Sequence, residues 1–137
     1  MEGILESIEF RGKQKDNGSW IYGFYIVDEK GASILYRHPL DGSLDRKEVY
    51  PETVNQYIRS KDKNNKKIYQ GDILKYDIHP SLKDKVGDDE LLHQVVWAEH
   101  GFYLWRWRSE DMNPINPSGI TESFEIVGNI HDNPELL

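Results

Sequence analysis

The side chains able to do chemistry in this chain are few, and their spacing decides most cases. Five histidines stand at His38, His79, His93, His100 and His131. No two have the i, i+4 or i, i+2 separation that would put a pair of imidazoles on one face of a helix or strand. His131 precedes Asp132, but neighbouring strand residues face opposite ways. "GDDE" at 87–90 offers three adjacent carboxylates that point in different directions. Two-metal sites draw their ligands from separate elements, and a hard cation wants about six oxygens. The acidic run therefore reads as a solvated loop, and no metal is expected. None of the serines lies in a GxSxG elbow, and the chain has no cysteine, so neither common nucleophile has a recognisable setting. The sequence reads as non-enzymatic and free of cofactors, with no catalytic residue to name.

Two stretches could bind rather than react. In "FYLWRWRS" (102–109), strand alternation puts Tyr103, Trp105 and Trp107 on one face and Phe102, Leu104, Arg106 and Arg108 on the other. A small domain cannot bury both faces, and Trp, Tyr and Arg are the residues that dominate interface hot spots. Tyr103, Trp105, Arg106, Trp107 and Arg108 are thus the expected interface with a protein partner. The same mixture of rings and guanidinium groups could stack bases and pair phosphates of a single strand. In "KDKNNKKIYQGDIL" (61–74), Lys61, Lys63, Lys66 and Lys67 surround a turn whose N–H groups could hold phosphate, which makes them the alternative nucleic-acid contact. No Walker or dinucleotide fingerprint accompanies them, and turn chemistry accounts for Asp62, Asn64, Asn65 and Gly71. Architecture is the preferred reading there, with Asp72 accepting hydrogen bonds across the Gly71 bend.

These groups need a scaffold, and 137 residues supply one. A chain of that length buries roughly 68% of its unfolded surface, enough for a core without metal or disulfide support. Lys and Arg number 17 against 24 Asp and Glu, a net charge of −7. An acidic chain repels phosphate backbones on average, so nucleic acid is the less favoured partner and would need a local basic patch. No signal peptide is read at the N-terminus, no apolar run approaches the ~18 residues of a membrane span, and a cytoplasmic location in a bacterial host fits both points.

The elements read as β almost throughout. Asn17-Gly18 marks a hairpin between "IEFRGK" (8–13) and "WIYGFYIV" (20–27), and "DEKG" turns into "ASILYRH", giving a three-stranded meander over 8–38. Residues 39–54 read as a connection with one helical turn near Pro51. Strands follow at "QYIRS" and "IYQGDILKYDI", where Leu74, Tyr76 and Ile78 alternate with Lys75 and Asp77. After a loop over 79–94 come "VVWAE", "GFYLWRWRS", a second loop (110–119) and "ESFEIVGNI". Asn133-Pro134 begins a last helical turn.

Three pieces in this order, "WIYG" (20–23), "PETVNQYIRSKDKNNKKIYQGDIL" (51–74) and "EIVGNIHDNPELL" (125–137), resemble the YopX family of bacterial phages and prophages. Asn65 stands where that family usually has glycine, Arg59-Ser60 replaces the usual Thr-Gly or Gly-Leu, and Gln70 replaces the common Glu. The resemblance implies a mainly β protein with antiparallel strands, few short helical turns and an SH3-like β-barrel in the C-terminal half. The division expected is an N-terminal β-rich region at 1–53 and the barrel region at 54–137. The family has no settled activity, so the resemblance implies a phage-type accessory protein. The expected role is a protein-binding or assembly module, with a second copy of the chain as one partner in a homo-oligomer. The rival is a nucleic-acid-binding accessory factor of phage replication or expression.

Overall fold

The computed structural model describes residues 8–82, 84–85, 91–98, 101–106, 111–114 and 123–136. Its described strands form two antiparallel sheets, joined by three-residue 3-10 turns and loops. The chain divides into two compact units, Met1–Tyr57 and Ile58–Leu137.

The first unit is the expected meander with a strand added on each side. Strands β1 (Phe10–Lys13), β2 (Trp20–Asp28) and β3 (Gly31–Arg37) are successive antiparallel neighbours. The Asn17 carboxamide accepts the Ser19 N–H at 2.8 Å and sets the first turn. β4 (Leu44–Glu48) pairs with β3 from Ser33↔Glu48 to Arg37↔Leu44, inside the stretch read as a connection. Its sequence, "LDRKE", has no apolar alternation because it is a largely exposed edge strand carried by main-chain bonds. The start of β5 (Asn55–Lys61) pairs with β1 on the other side. Ala32, Ile34 and Val49 form the core, with Phe10, Ile21, Tyr25 and Val54 packed on it. The helical turn expected near Pro51 is a 3-10 turn, Pro51–Thr53.

The second unit holds the rest of β5, its neighbour β6 (Lys67–Tyr69), and a five-stranded sheet. That sheet comprises β7 (Asp72–Tyr76), β8 (Leu92–Ala98), β9 (Gly101–Arg106), β10 (Asp111–Pro114) and β11 (Phe124–Asn129), in the order β10-β9-β8-β7-β11. Among the described residues no pairing joins β10 to β11, so the sheet is open where an SH3-like barrel would close. β10 lies within the stretch expected to be loop. Ile58, Ile68, Leu74, Val95 and Leu104 form the core, each side chain worth about 1.5–3 kcal/mol of burial, with Phe102, Phe124 and Ile126 packed against it. The alternation read in β7 holds only in part. Ile73 and Leu74 are both fully buried, because this interior strand is covered on both faces, while Tyr76 is exposed.

One backbone position is strained. Arg59, exposed within β5, has φ of +63°, in the left-handed region. That conformation costs a non-glycine residue about 1–2 kcal/mol, partly offset in glycine by chain entropy. Arg59→Gly is therefore expected to raise stability by about 0.5–1 kcal/mol, read as a higher urea midpoint at unchanged slope. A lower midpoint would show that the arginine side chain contributes more than its backbone costs.

Candidate binding surfaces

The lysine-rich turn is organised by its own carboxylate. Asp62, 2% exposed, accepts the N–H groups of Asn64 and Lys66 on Oδ1 and that of Ile126 on Oδ2, all at 2.9 Å. Asn65 donates to the Asp62 carbonyl at 2.9 Å, and with φ of +64° it completes a three-residue hairpin loop of the turn-plus-bulge kind. The N–H groups that a phosphate would use are thus held by a side chain of the same loop. Lys63 Nζ lies 3.5 Å from Asp77 and 3.9 Å from Glu125. Across the next bend Asp72, also buried, accepts the Tyr69 N–H at 2.8 Å, and Gly71 takes φ of +89°, open to glycine without cost. The C-terminal motif is tied in the same manner. Asn129 Oδ1 accepts the His131 and Asp132 N–H groups, and Asn133 Oδ1 accepts that of Asn129. A Cβ on Gly128 would lie 2.6 Å from that Asn133 oxygen.

The second surface is the β8–β9 hairpin. Its register places Val95 opposite Leu104 and Trp97 opposite Phe102. Val95 and Leu104 enter the core, so Phe102 and Leu104 mark the inward face of β9 and Tyr103, half-buried opposite Val96, the outward one. Trp97 ends the inward row yet is 54% exposed, its ring edge-on to Phe102 at 4.8 Å. Trp105 and Arg106 continue β9 opposite Gln94 and His93. Trp107, Arg108, His100 and the acids of 87–90 lie outside the described residues. His93 is packed edge-on against Phe124, and His79 Nδ1 is 2.8 Å from Ser81 Oγ. Among the described residues no three His, Asp or Glu side chains gather.

A third surface was not singled out from the sequence. The pairings Lys13↔Trp20, Arg11↔Tyr22 and Phe24↔Leu35 put these side chains on one face of the first unit's sheet, opposite the face of Ile21, Tyr25 and Ile34. Arg37 and Arg46 share it, through Arg37↔Leu44 and Leu35↔Arg46. Tyr22 and Phe24 are 47% and 57% exposed. The Trp20 ring is held beneath cations, with Arg11 at 4.6 Å and Lys13 Nζ at 5.4 Å from its centroid. Arg11, 6% exposed, also donates to Asn55 Oδ1 at 3.3 Å. The carboxylates on this side are engaged: Asp28 with Arg46 at 3.0 Å and Glu48 with Lys15 at 3.3 Å. The Arg46 hydrogen bond, helped by the Lys30 N–H, holds the Asp28 carboxyl below its usual range. The run "WIYGFYIV" hides this face because nearly every residue in it is apolar. The Asn17-Gly18 turn was the available signal, since it sets which residues of β1 lie beside Trp20 and Tyr22.

No curated protein matches this chain. Among solved structures, that of protein EF1440 from Enterococcus faecalis is similar, with a TM-score of 0.60 and 22% identity over 96% of this chain and 98% of that one. At this identity the likeness is one of fold. No helix among the described residues is long and apolar enough to cross a membrane. The family model described as YopX protein matches residues 9–137, nearly the whole length, and the chain belongs to the YopX family.

Proposed function

We propose that this chain is a protein-binding or assembly module of phage or prophage type, acting without chemistry of its own in the bacterial cytoplasm. The observation that carries the reading is Trp97, half-open to solvent and steadied edge-on by Phe102 at the end of the β8–β9 hairpin. A large ring already held in place loses little freedom on binding and brings a wide contact area, which is why tryptophan leads the residues of interface hot spots. Of the other residues read from the sequence, Tyr103 lies on the opposite face of the hairpin and Trp105 and Arg106 continue β9, while Trp107 and Arg108 lie outside the described residues. The partner is a protein, and a second copy of the chain is one candidate.

Trp97→Ala tests this directly. The side chain is exposed enough for the fold to survive its loss, so circular dichroism should be unchanged. Capture of a protein partner by the tagged chain from nuclease-treated bacterial lysate should fall about tenfold or more. Undiminished capture by the folded variant would remove the hairpin from the interface.

A further inference from the structure

The acidity of this chain is unevenly placed. Residues 1–57 carry seven Lys and Arg against ten Asp and Glu, a net of 7 − 10 = −3. Yet the outer face of their sheet presents Lys13 and Arg37, with Arg11 buried in it, Arg46 paired to Asp28 and Glu48 engaged by Lys15. What the face adds to its cations is a row of rings at i, i+2 and i+4 of one strand: Trp20, Tyr22 and Phe24.

We propose that this face binds single-stranded nucleic acid, with Tyr22 and Phe24 as stacking platforms and Lys13 and Arg37 along the phosphate path. Four features select that occupant. Successive rings on one strand face stand about 6.8 Å apart, two residues at the strand rise. An extended single strand can follow that spacing, whereas a duplex advances about 3.4 Å per step and hides its base faces. The Trp20 ring, at one end of the row, is already fixed under Arg11 and Lys13 before any base arrives. Arg37 donates to the Gly42 carbonyl at 2.7 Å, which orients its guanidinium without neutralising it. Finally, the centre of a protein interface is depleted of charge, and here cations stand directly beside the exposed rings. This site is separate from the β8–β9 hairpin, and the chain then joins a protein partner to a nucleic-acid strand.

The test is fluorescence anisotropy of the full chain with a labelled oligothymidylate of about twelve nucleotides, at several salt concentrations. Binding should weaken with salt, and Arg37→Gln should reduce the logarithmic salt slope by about 0.7. Tyr22→Ala with Phe24→Ala should weaken binding about a hundredfold, since each stacked ring contributes about tenfold. If the double variant loses its fold by circular dichroism, Phe24→Leu keeps the apolar bulk, removes the ring and should still cost about tenfold. Trp97→Ala should bind the oligonucleotide normally, which keeps this site distinguishable from the protein-binding one. The proposal is overturned by no binding at low salt, by equal affinity for a duplex or for polyglutamate, or by undiminished binding of the ring variants. Loss of binding on Lys61→Gln with Lys66→Gln and Lys67→Gln, with the ring variants unaffected, would overturn it in favour of the turn.

Discussion

Asp62→Ala is expected to cost the second unit about 4 kcal/mol, enough to leave it largely unfolded under mild denaturant. One buried carboxylate accepts three main-chain N–H groups, two within its own loop and one on β11. Hydrogen bonds to a charged acceptor are each worth about 1.5–3 kcal/mol, and alanine leaves all three donors without their acceptor. Water can reach the loop donors once the carboxylate is gone, which is why the loss is less than the sum. The Lys63 N–H to Phe124 carbonyl bond beside the Ile126 donor would loosen with it. Asp62→Asn keeps one acceptor oxygen and should lose about half as much. Urea unfolding followed at the tryptophans reads both numbers. A loss below about 1 kcal/mol for the alanine variant would show that the loop and β11 are held by something else.

Gly23→Ala comes next in size, at about 3 kcal/mol from the first unit. A Cβ at this position would overlap the main-chain carbonyl oxygen of Leu35 and press on the Ile34 side chain at 3.2 Å. A clash with the end of a flexible side chain is relieved by rotation; one with the carbonyl of a paired strand is not. β2 and β3 would have to part near the Phe24↔Leu35 pair and disturb the fully buried Ile34. Thermal unfolding of the variant should start well below that of the parent. Unfolding within about 1 kcal/mol of the parent would mean that the two strands have room to separate.

These two residues also show what the sequence could and could not convey. Turn chemistry is local, so Asn17-Gly18, the loop around Asp62 and the Gly71 bend were legible from types and spacing alone. The side-chain bonds of Asp62 and Asp72 follow the same rules. Two strands escaped because they announce nothing in their own residues. β4 is a charged edge strand, and β10 lies in a stretch rich in Pro and Asn, so neither shows the alternation of a half-buried strand. Closure of a sheet depends on pairings between distant segments, which one chain's pattern does not encode; the open order β10-β9-β8-β7-β11 is of that kind. The candidate sites divide along the same line. Phe102 and Tyr103 alternate by rule, but whether their strand buries one or the other is set by what packs beneath it, here the core that includes Ile58 and Ile68. The ring row of β2 lay in plain view, while its cations come from β1, β3 and β4 and are brought there by register. The stretches that carry the family resemblance hold much of the architecture, through Gly23, Asp62, Asp72, Gly128, Asn129 and Asn133. That explains why they define the fold so clearly and the activity so poorly.

We propose that the chain works by binding, through the β8–β9 hairpin of its second unit. The most direct measurement uses three tagged baits in parallel: the parent chain, Trp97→Ala, and Tyr22→Ala with Phe24→Ala. Each is exposed to the same nuclease-treated bacterial lysate, and the captured proteins are quantified by mass spectrometry. The expected result is a protein, or the untagged chain itself, held by the parent and the β2 variant and lost about tenfold or more by Trp97→Ala. Equal recovery of the same proteins by all three folded baits would contradict it.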